Sequence, residues 1–387
     1  MRRVYLDHTA TTPLDPQVFE AMKPYFGEKY GNASSIHRFG QEARAALDGS
    51  REVIARQLGA SAGEISFVGS GTEADNMALK GVAWHMLREH QKNHIITSCV
   101  EHHAVLESCS ALEDEGFAVS YIGVNESGRI DPDRVFSEIR PSTGLVSIMH
   151  ANNEVGTINA VAELGRTLRE QGILFHTDAV QSFGKIPIDV QALSVDLLSL
   201  SAHKIYGPKG IGAIFIRKGV ALDRLLDGGG QERGRRAGTE NVPLAVGFSK
   251  AAELMQHHGE NEQLRIRGMR DWLLGELRSR FPFLIVNGDP ANGLPHLLNI
   301  SFDCEKICID GEALLFNLDL AGIAVTSGSA CTSGSMTPSH VLLAMGRDPR
   351  TAKATIRFSL GRWTQQEDLQ YAADSLDEIV NRIGSKP

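Results

Sequence analysis

The stretch "DLLSLSAHKIYGPKGIGAIFI", residues 196–216, decides the fold. Two apolar runs, Asp196–Ser201 and Ile211–Ile216, flank a short segment holding Gly207, Pro208 and Gly210. Such runs predict core strands, and a connection this short and rich in turn formers predicts that the two pair antiparallel. The first strand ends on His203-Lys204. Lysine normally lies in water, and a solvated lysine at a strand end is the plain reading of one such residue. What the other strand ends carry decides whether that reading holds.

Outward from this stretch, short apolar runs alternate with segments of helical period. Ile65–Val68 precedes a helix opening at Thr72, His94–Thr97 precedes a helix over 104–115, and Gly144–Met149 precedes a helix over 161–171. Gly172–Phe175 is a further strand. This alternation predicts an α/β domain with a mainly parallel sheet covered by helices. Residues 243–280 read as one long helix leading into a smaller α+β domain. That domain would have strands near 283–286, 297–302 and 355–360, a helix over 311–320 and a final helix from Thr364.

Composition sets the class. The 387 residues are 42% hydrophobic and 22% charged, ordinary for a globular protein of two or three domains. A net charge of −8 disfavours nucleic acid or an anionic membrane as the main partner. No run of about 18 apolar residues appears, and the N-terminus lacks a cleavable apolar signal, so no membrane association is expected. The five cysteines, Cys99, Cys109, Cys304, Cys308 and Cys331, are an odd set and point to a reducing, cytoplasmic setting. Neither Cys304-x3-Cys308 nor the adjacent His102-His103 has the spacing of a metal site, and none is expected.

Ligands in open α/β sheets bind beyond the carboxyl ends of the strands. Those ends read Gly69-Ser-Gly-Thr-Glu, Val100-Glu-His-His, His150-Ala-Asn-Asn-Glu, His176-Thr-Asp-Ala-Val-Gln and Ser201-Ala-His-Lys. Together they bring a lysine, an aspartate, histidines, amides and a glycine-rich turn to one rim, which argues against a merely solvated Lys204. A lysine amine in a desolvated, electropositive site loses its proton readily and can condense with a carbonyl. Pyridoxal phosphate needs such an amine, and a carboxylate beside its ring nitrogen as well; Asp178 suits that place. Gly69-Ser-Gly-Thr at a helix start offers N–H groups and a hydroxyl to a phosphate. Dinucleotide and P-loop fingerprints are both missing.

Ten ordered blocks then carry a resemblance. They are "YLDHTATTPLD", "GNASSIHRFGQEAR", "GSGTEADN", "EHHAV", "HANNEVGT", "TDAVQSFGK", "SAHKIYGPKGIG", "GGGQERGRRAGTEN", "TSGSACTSGS" and "IRFSLGR". From about residue 4 to residue 362 the chain resembles a NifS/IscS-type cysteine desulfurase, in the class V aminotransferase-like branch of fold type I pyridoxal phosphate enzymes. The resemblance implies an aspartate aminotransferase-like fold and a homodimer. The large domain would be residues 15–262, and the small one residues 1–14 and 263–387, with a mobile cysteine loop at about 326–337. It departs at Ala33, where proline is usual, and at Thr9, where alanine is common. The cysteine block differs from the SufS-like pattern.

By the same resemblance Lys204 binds pyridoxal 5'-phosphate, Asp178 faces its ring nitrogen, Gln181 its hydroxyl, and His102 stacks on the ring and moves protons. Thr72 with Gly71, Ser201 and His203 would hold the phosphate, and Thr239 the phosphate of the neighbouring subunit. Asn153 and Arg357 would hold the substrate carboxylate, a task suited to a guanidinium fork. Cys331 lies among small residues in Thr326–Ser335, with little to pack against, and is the expected nucleophile; the other four cysteines are expected in helices or strands and inert. The activity implied converts L-cysteine to L-alanine, leaving a persulfide that passes to acceptor proteins such as an iron–sulfur scaffold or to tRNA thiolation. A selenocysteine lyase or small aminotransferase would keep the lysine and aspartate, and an aminotransferase would not need the cysteine loop. A non-enzymatic hub for sulfur acceptors would leave the polar rim unexplained.

Overall fold

The computed structural model describes residues 2–328 and 337–385. Its strands, in chain order, are β1 (Val4–Tyr5), β2 (Ile65–Val68), β3 (His94–Ser98), β4 (Ala118–Ile122), β5 (Thr143–Ser147) and β6 (Leu174–Asp178). They continue with β7 (Leu197–Ser201), β8 (Gly212–Ile216), β9 (Leu284–Asn287), β10 (Leu297–Phe302), β11 (Ile323–Ala324) and β12 (Thr355–Ser359). Seven form one sheet, in the order β2-β8-β7-β6-β5-β3-β4. The pairs β7–β6, β6–β5, β5–β3 and β3–β4 are parallel, and β8 is antiparallel to both neighbours. Reversal of β8 alone leaves β2 aligned with the rest. The ends of β2, β3, β5, β6 and β7 therefore share one rim, and β7 and β8 pair antiparallel as expected from the 196–216 stretch.

Both faces of this sheet are covered, and consecutive strand residues show it. Ile95, Leu145, Leu197 and Ile214 belong to one apolar cluster, with Ala78 and Val82 of the helix Gly71–His90. Their successors Ile96, Val146, Leu198 and Phe215 belong to another, with Leu47 and Ile54 of the helix Arg38–Gln57. Side chains alternate across a strand, so a strand buried on both faces reads as an unbroken apolar run. Each such side chain contributes about 1.5–3 kcal/mol.

A third cluster joins Val4 and Leu6 to Leu298, Ile300, Ile356, Phe358 and Leu376. It backs the antiparallel sheet β12-β10-β9 and the parallel pair β1–β11. The helix Val242–Arg280 serves both regions: Phe248 and Met255 pack in the large cluster, Ile266, Leu273 and Leu277 in this one. It bends between them at Gly259, whose φ of 47° and ψ of −145° are not helical. No helix among the described residues is long and apolar enough to cross a membrane.

Boundaries shift slightly from the sequence reading. The helix expected from Thr72 opens at Gly71, with Ser70 accepting the Glu73 N–H at 3.1 Å. The final helix runs Gln366–Ile383. The four other cysteines correct an expectation, because only Cys109 sits buried in a helix. Cys99 and Cys304 lie in half-buried turns, and Cys308 is exposed at an isolated bridge to Ser385.

Candidate active site

Lys204 closes a short 3-10 turn, Ala202–Lys204, directly after β7. That turn is pinned to the chain's beginning. Thr12 donates its N–H and hydroxyl to the His203 carbonyl at 2.9 and 2.8 Å, and its oxygen accepts the Tyr206 N–H at 2.7 Å. Tyr206 stands at φ 66°, a conformation uncommon for a tyrosine, with its ring fully buried. The Lys204 ammonium donates to the carbonyls of Thr9 and Ala10 at 2.5 and 2.8 Å. Burial, and then the charge of Arg357, lower its pKa from the usual lysine value to about 8, against the pull of Asp178 and Asp7.

Asp178 ends β6 and is buried, its Oδ1 accepting the Val180 N–H at 2.8 Å. Burial pushes its pKa up, while that N–H and Lys204 pull it down. Behind it lies Asp75, from the helix Gly71–His90, raised well above the carboxylate range by burial and then by Asp178 itself. Two adjacent buried acids resist sharing two charges. Asp75 therefore keeps a proton, and Asp178, beside Lys204, is the anion. His176 is wedged between Ser147 and Ser199 at 2.8 and 2.9 Å, with Nε2 3.7 Å from Asp75. Burial drops its pKa to about 3, so it is a neutral spacer.

His102 caps the helix His103–Asp114, with Nδ1 accepting the Ala104 N–H at 3.1 Å. The ring's proton is therefore on Nε2. One part of the residue faces solvent, yet burial of the ring, and then Lys204, hold its pKa near 4. Gln181 donates to the same Thr9 carbonyl as Lys204, at 3.1 Å.

The phosphate-suited residues gather at the start of the helix Gly71–His90. Ser201 is 2% exposed, and its hydroxyl has no hydrogen-bond partner among the described residues. A Cβ built on Gly71 would lie 3.5 Å from the Ser201 Cβ and 2.8 Å from Val180 Cγ2, so the glycine leaves a cradle that any side chain would fill. Thr72 is exposed beside it, and His203 shares a 3.1 Å hydrogen bond with Thr11. A buried hydroxyl without a partner, facing a helix N-terminus, fits an anion. With Asp178 and the depressed Lys204, the residues fit pyridoxal phosphate.

Arg357, on β12, donates to the Asn153 carbonyl at 2.9 Å and to Asp7 at 3.0 Å, while its Nε has no partner among the described residues. Sequence reasoning placed the Asn153 residue here, but it is the backbone oxygen that meets Arg357. The Arg357 N–H also donates to the Thr326 carbonyl at 2.6 Å. Ser339 is hydrogen-bonded to Glu154, and a Cβ on Gly328 would meet the same carboxylate at 2.8 Å. The flanks of the cysteine segment thus rest on Glu154 and Arg357. Cys331 itself lies outside the described residues. Thr239 stands apart from the Lys204 cluster, exposed in an irregular segment that lines a cavity of about 180 Å³ with Gly69 and Gly210.

Missed by sequence reasoning are Asp7, the Thr9 and Ala10 carbonyls, Asp75 and Glu101. Glu101 is fully buried, takes N–H and hydroxyl donors from Met149 and Ser98, and is raised by burial to about 8. The signal for the first three lay in the block "YLDHTATTPLD".

Comparison with known proteins matches the Aminotransferase class-V family over residues 4–372. A cysteine desulfurase IscS of Dictyoglomus turgidum is 49% identical over 382 residues, covering 99% of this chain and 95% of that one. A solved NifS-like protein superposes with a TM-score of 0.91 at 39% identity, covering 98% of this chain and all of the other. The solved structure of SspA in complex with cysteine gives 0.82 at 38% identity, over 94% of this chain and all of the other.

Proposed function

Because the chain belongs to the Aminotransferase class-V family and is a cysteine desulfurase, we propose that it works with pyridoxal 5'-phosphate at the Lys204 rim. Lys204 would bind the cofactor, with Asp178 at the ring nitrogen, Gln181 at the ring hydroxyl and His102 over the ring. Gly71, Thr72, Ser201 and His203 would hold the phosphate, and Thr239 would reach that of the partner subunit. When bound, the cofactor supplies an electron sink for charge developing at the substrate's α-carbon.

The chain's own residues supply the rest. Arg357 takes the carboxylate of L-cysteine, exchanging Asp7 for the ligand, with Asn153 beside it. The Lys204 amine, neutral in good part near pH 8, takes the α-proton. Neutral His102 carries its proton on Nε2. The Cys331 thiolate attacks the substrate sulfur. A sulfur–sulfur bond forms and the sulfur–carbon bond breaks, its electron pair staying on carbon. Carbon takes up a proton and leaves as alanine, and the persulfide on Cys331 passes to an acceptor protein, for iron–sulfur assembly or tRNA thiolation. We place this chemistry in the cytoplasm. SspA, the relative solved with cysteine, supports the substrate.

A division of the chain into 15–262 and 1–14 with 263–387 is supported by the two separate cores and the bend at Gly259. A homodimer is supported by exposed Phe19, Phe26, Tyr30, Ile36 and Phe39. The observation that carries the reading is Lys204, half-buried, lowered to about 8 and flanked by Asp178 and Arg357. The test is mass spectrometry of the protein after treatment with cysteine, with alanine assayed in parallel. One added sulfur on the Cys331 peptide is expected, and none in Cys331→Ser. Full persulfide on Cys99, Cys109, Cys304 or Cys308 in that variant would refute the assignment.

A further inference from the structure

Away from the Lys204 rim, a cavity of about 490 Å³ opens where the helix Val242–Arg280 bends at Gly259. Met255 lines it from before the bend; Gln263 and Leu264 line it from beyond. The volume is that of a small-molecule site. Its walls are mainly apolar, with Phe183 and Pro187 among them.

The polar groups in it are unusual. Lys185 is 6% exposed, and its ammonium makes no hydrogen bond or ion pair among the described residues. The Tyr206 ring lies 5.0 Å from it, and His8 and His296 are close enough to feel its charge. Glu262, the carboxylate acting on it, accepts from Arg362 at 2.8 Å through Oε2, while its Oε1 is buried with no partner among the described residues. Gln57 and Gln263 both line the cavity, and Gln57 Nε2 and Gln263 Oε1 are buried with no partner among the described residues. Arg267 gives one N–H to the Ala291 carbonyl, and Glu260 adds one acid. A buried cation with no direct hydrogen bond, a buried donor and a buried acceptor each cost stability unless something satisfies them. Nothing in the mechanism uses them.

We propose that this cavity is a second ligand site, one that takes an apolar α-amino acid in its zwitterionic form. The carboxylate would meet Lys185 and Gln57, and the ammonium would meet Gln263 Oε1 and Glu260. The apolar side chain would lie on Phe183, Pro187 and Leu264. Such a ligand would satisfy Lys185, Gln57 and Gln263 together, which neither a simple carboxylate nor a simple amine would. Burial lowers Lys185 to about pH 8, so it is still a cation at neutral pH and free to pair.

The test is calorimetric titration of the holoenzyme with L-leucine, against 4-methylpentanoate and isoamylamine, which lack one charged group each. Saturable binding of one leucine per chain is expected, with both analogues weaker by about tenfold or more. Lys185→Met and Gln263→Leu should each weaken leucine by a similar factor. Leu264→Asp, at a 63% exposed position on the cavity's lip, should do so without disturbing the fold. It decides the matter if Lys185→Met does not fold. Arg357→Leu should leave leucine binding as it is. The proposal is overturned by absence of saturable binding, or by isoamylamine binding as tightly as leucine. It is equally overturned if binding is lost in Arg357→Leu but kept in Lys185→Met, which would place the leucine in the active site.

Discussion

Lys204 shows how much a residue's chemistry depends on its surroundings. Its amine is depressed because burial disfavours the cation and Arg357 repels it, with Asp178 and Asp7 only partly compensating. The sign for stability follows. Between about pH 8 and the free-lysine value only the unfolded chain holds this proton, so this group's contribution to stability rises with pH over that window. In cofactor-stripped protein, capture of pyridoxal phosphate, followed by absorbance, should accelerate with pH and level off just above 8. Arg357→Leu should move the plateau to higher pH, and Lys204→Arg should abolish capture. A plateau near the ordinary lysine value of about 10.4 would show that the amine is not depressed.

The proposed phosphate cradle belongs to no single residue. It exists because β7 ends where the helix Gly71–His90 begins, with Gly71 letting the two approach. The unpartnered Ser201 hydroxyl gives this arrangement a signature. A buried hydroxyl lacking a partner costs about 1–3 kcal/mol, so in the cofactor-free protein Ser201→Ala should leave stability unchanged or raise it by about 1 kcal/mol. With cofactor the sign reverses, and affinity should fall by about tenfold through loss of a charge-assisted hydrogen bond. Denaturant titration with and without pyridoxal phosphate separates the two effects. A variant destabilised without cofactor, yet binding it normally, would assign Ser201 to packing. Gly71→Ala should act more severely, since its Cβ would press on Val180 at 2.8 Å.

At the scale of the molecule, the apolar residues left on the surface point to assembly. Ile36 is 92% exposed, Tyr30 69% and Phe26 62%, within ten residues of chain and close to Phe39. Exposed apolar side chains are ordinary one at a time; a cluster marks an interface. Ile36→Asp should change the stability of the single chain by no more than about 0.5 kcal/mol, as surface changes do. In sedimentation it should shift the proposed dimer toward monomer. Under the proposed role of Thr239 at the partner's phosphate, cofactor affinity should fall with it. A dimer of undiminished affinity would place the interface elsewhere.

By itself, the sequence determined the buried strands, their shared rim and the polar residues delivered to it. These follow from local pattern: an unbroken apolar run is a strand buried on both faces, and the chemistry begins where the run stops. The edge strand β4 was not assigned, because Ala118–Ile122 is largely exposed and lacks such a run. Nor was the helix Arg38–Gln57, whose face toward the core mixes Gly40, Ser50 and Arg51 with its apolar residues. Only the tertiary structure decided which groups meet across the chain. Lys204 rests on Thr9, 195 residues away, and Arg357 on Asp7, 350 away. Only it decided that Asp75 holds a proton so that Asp178 can stay charged. Protonation is set by burial and neighbouring charge, and neither exists until the chain has folded.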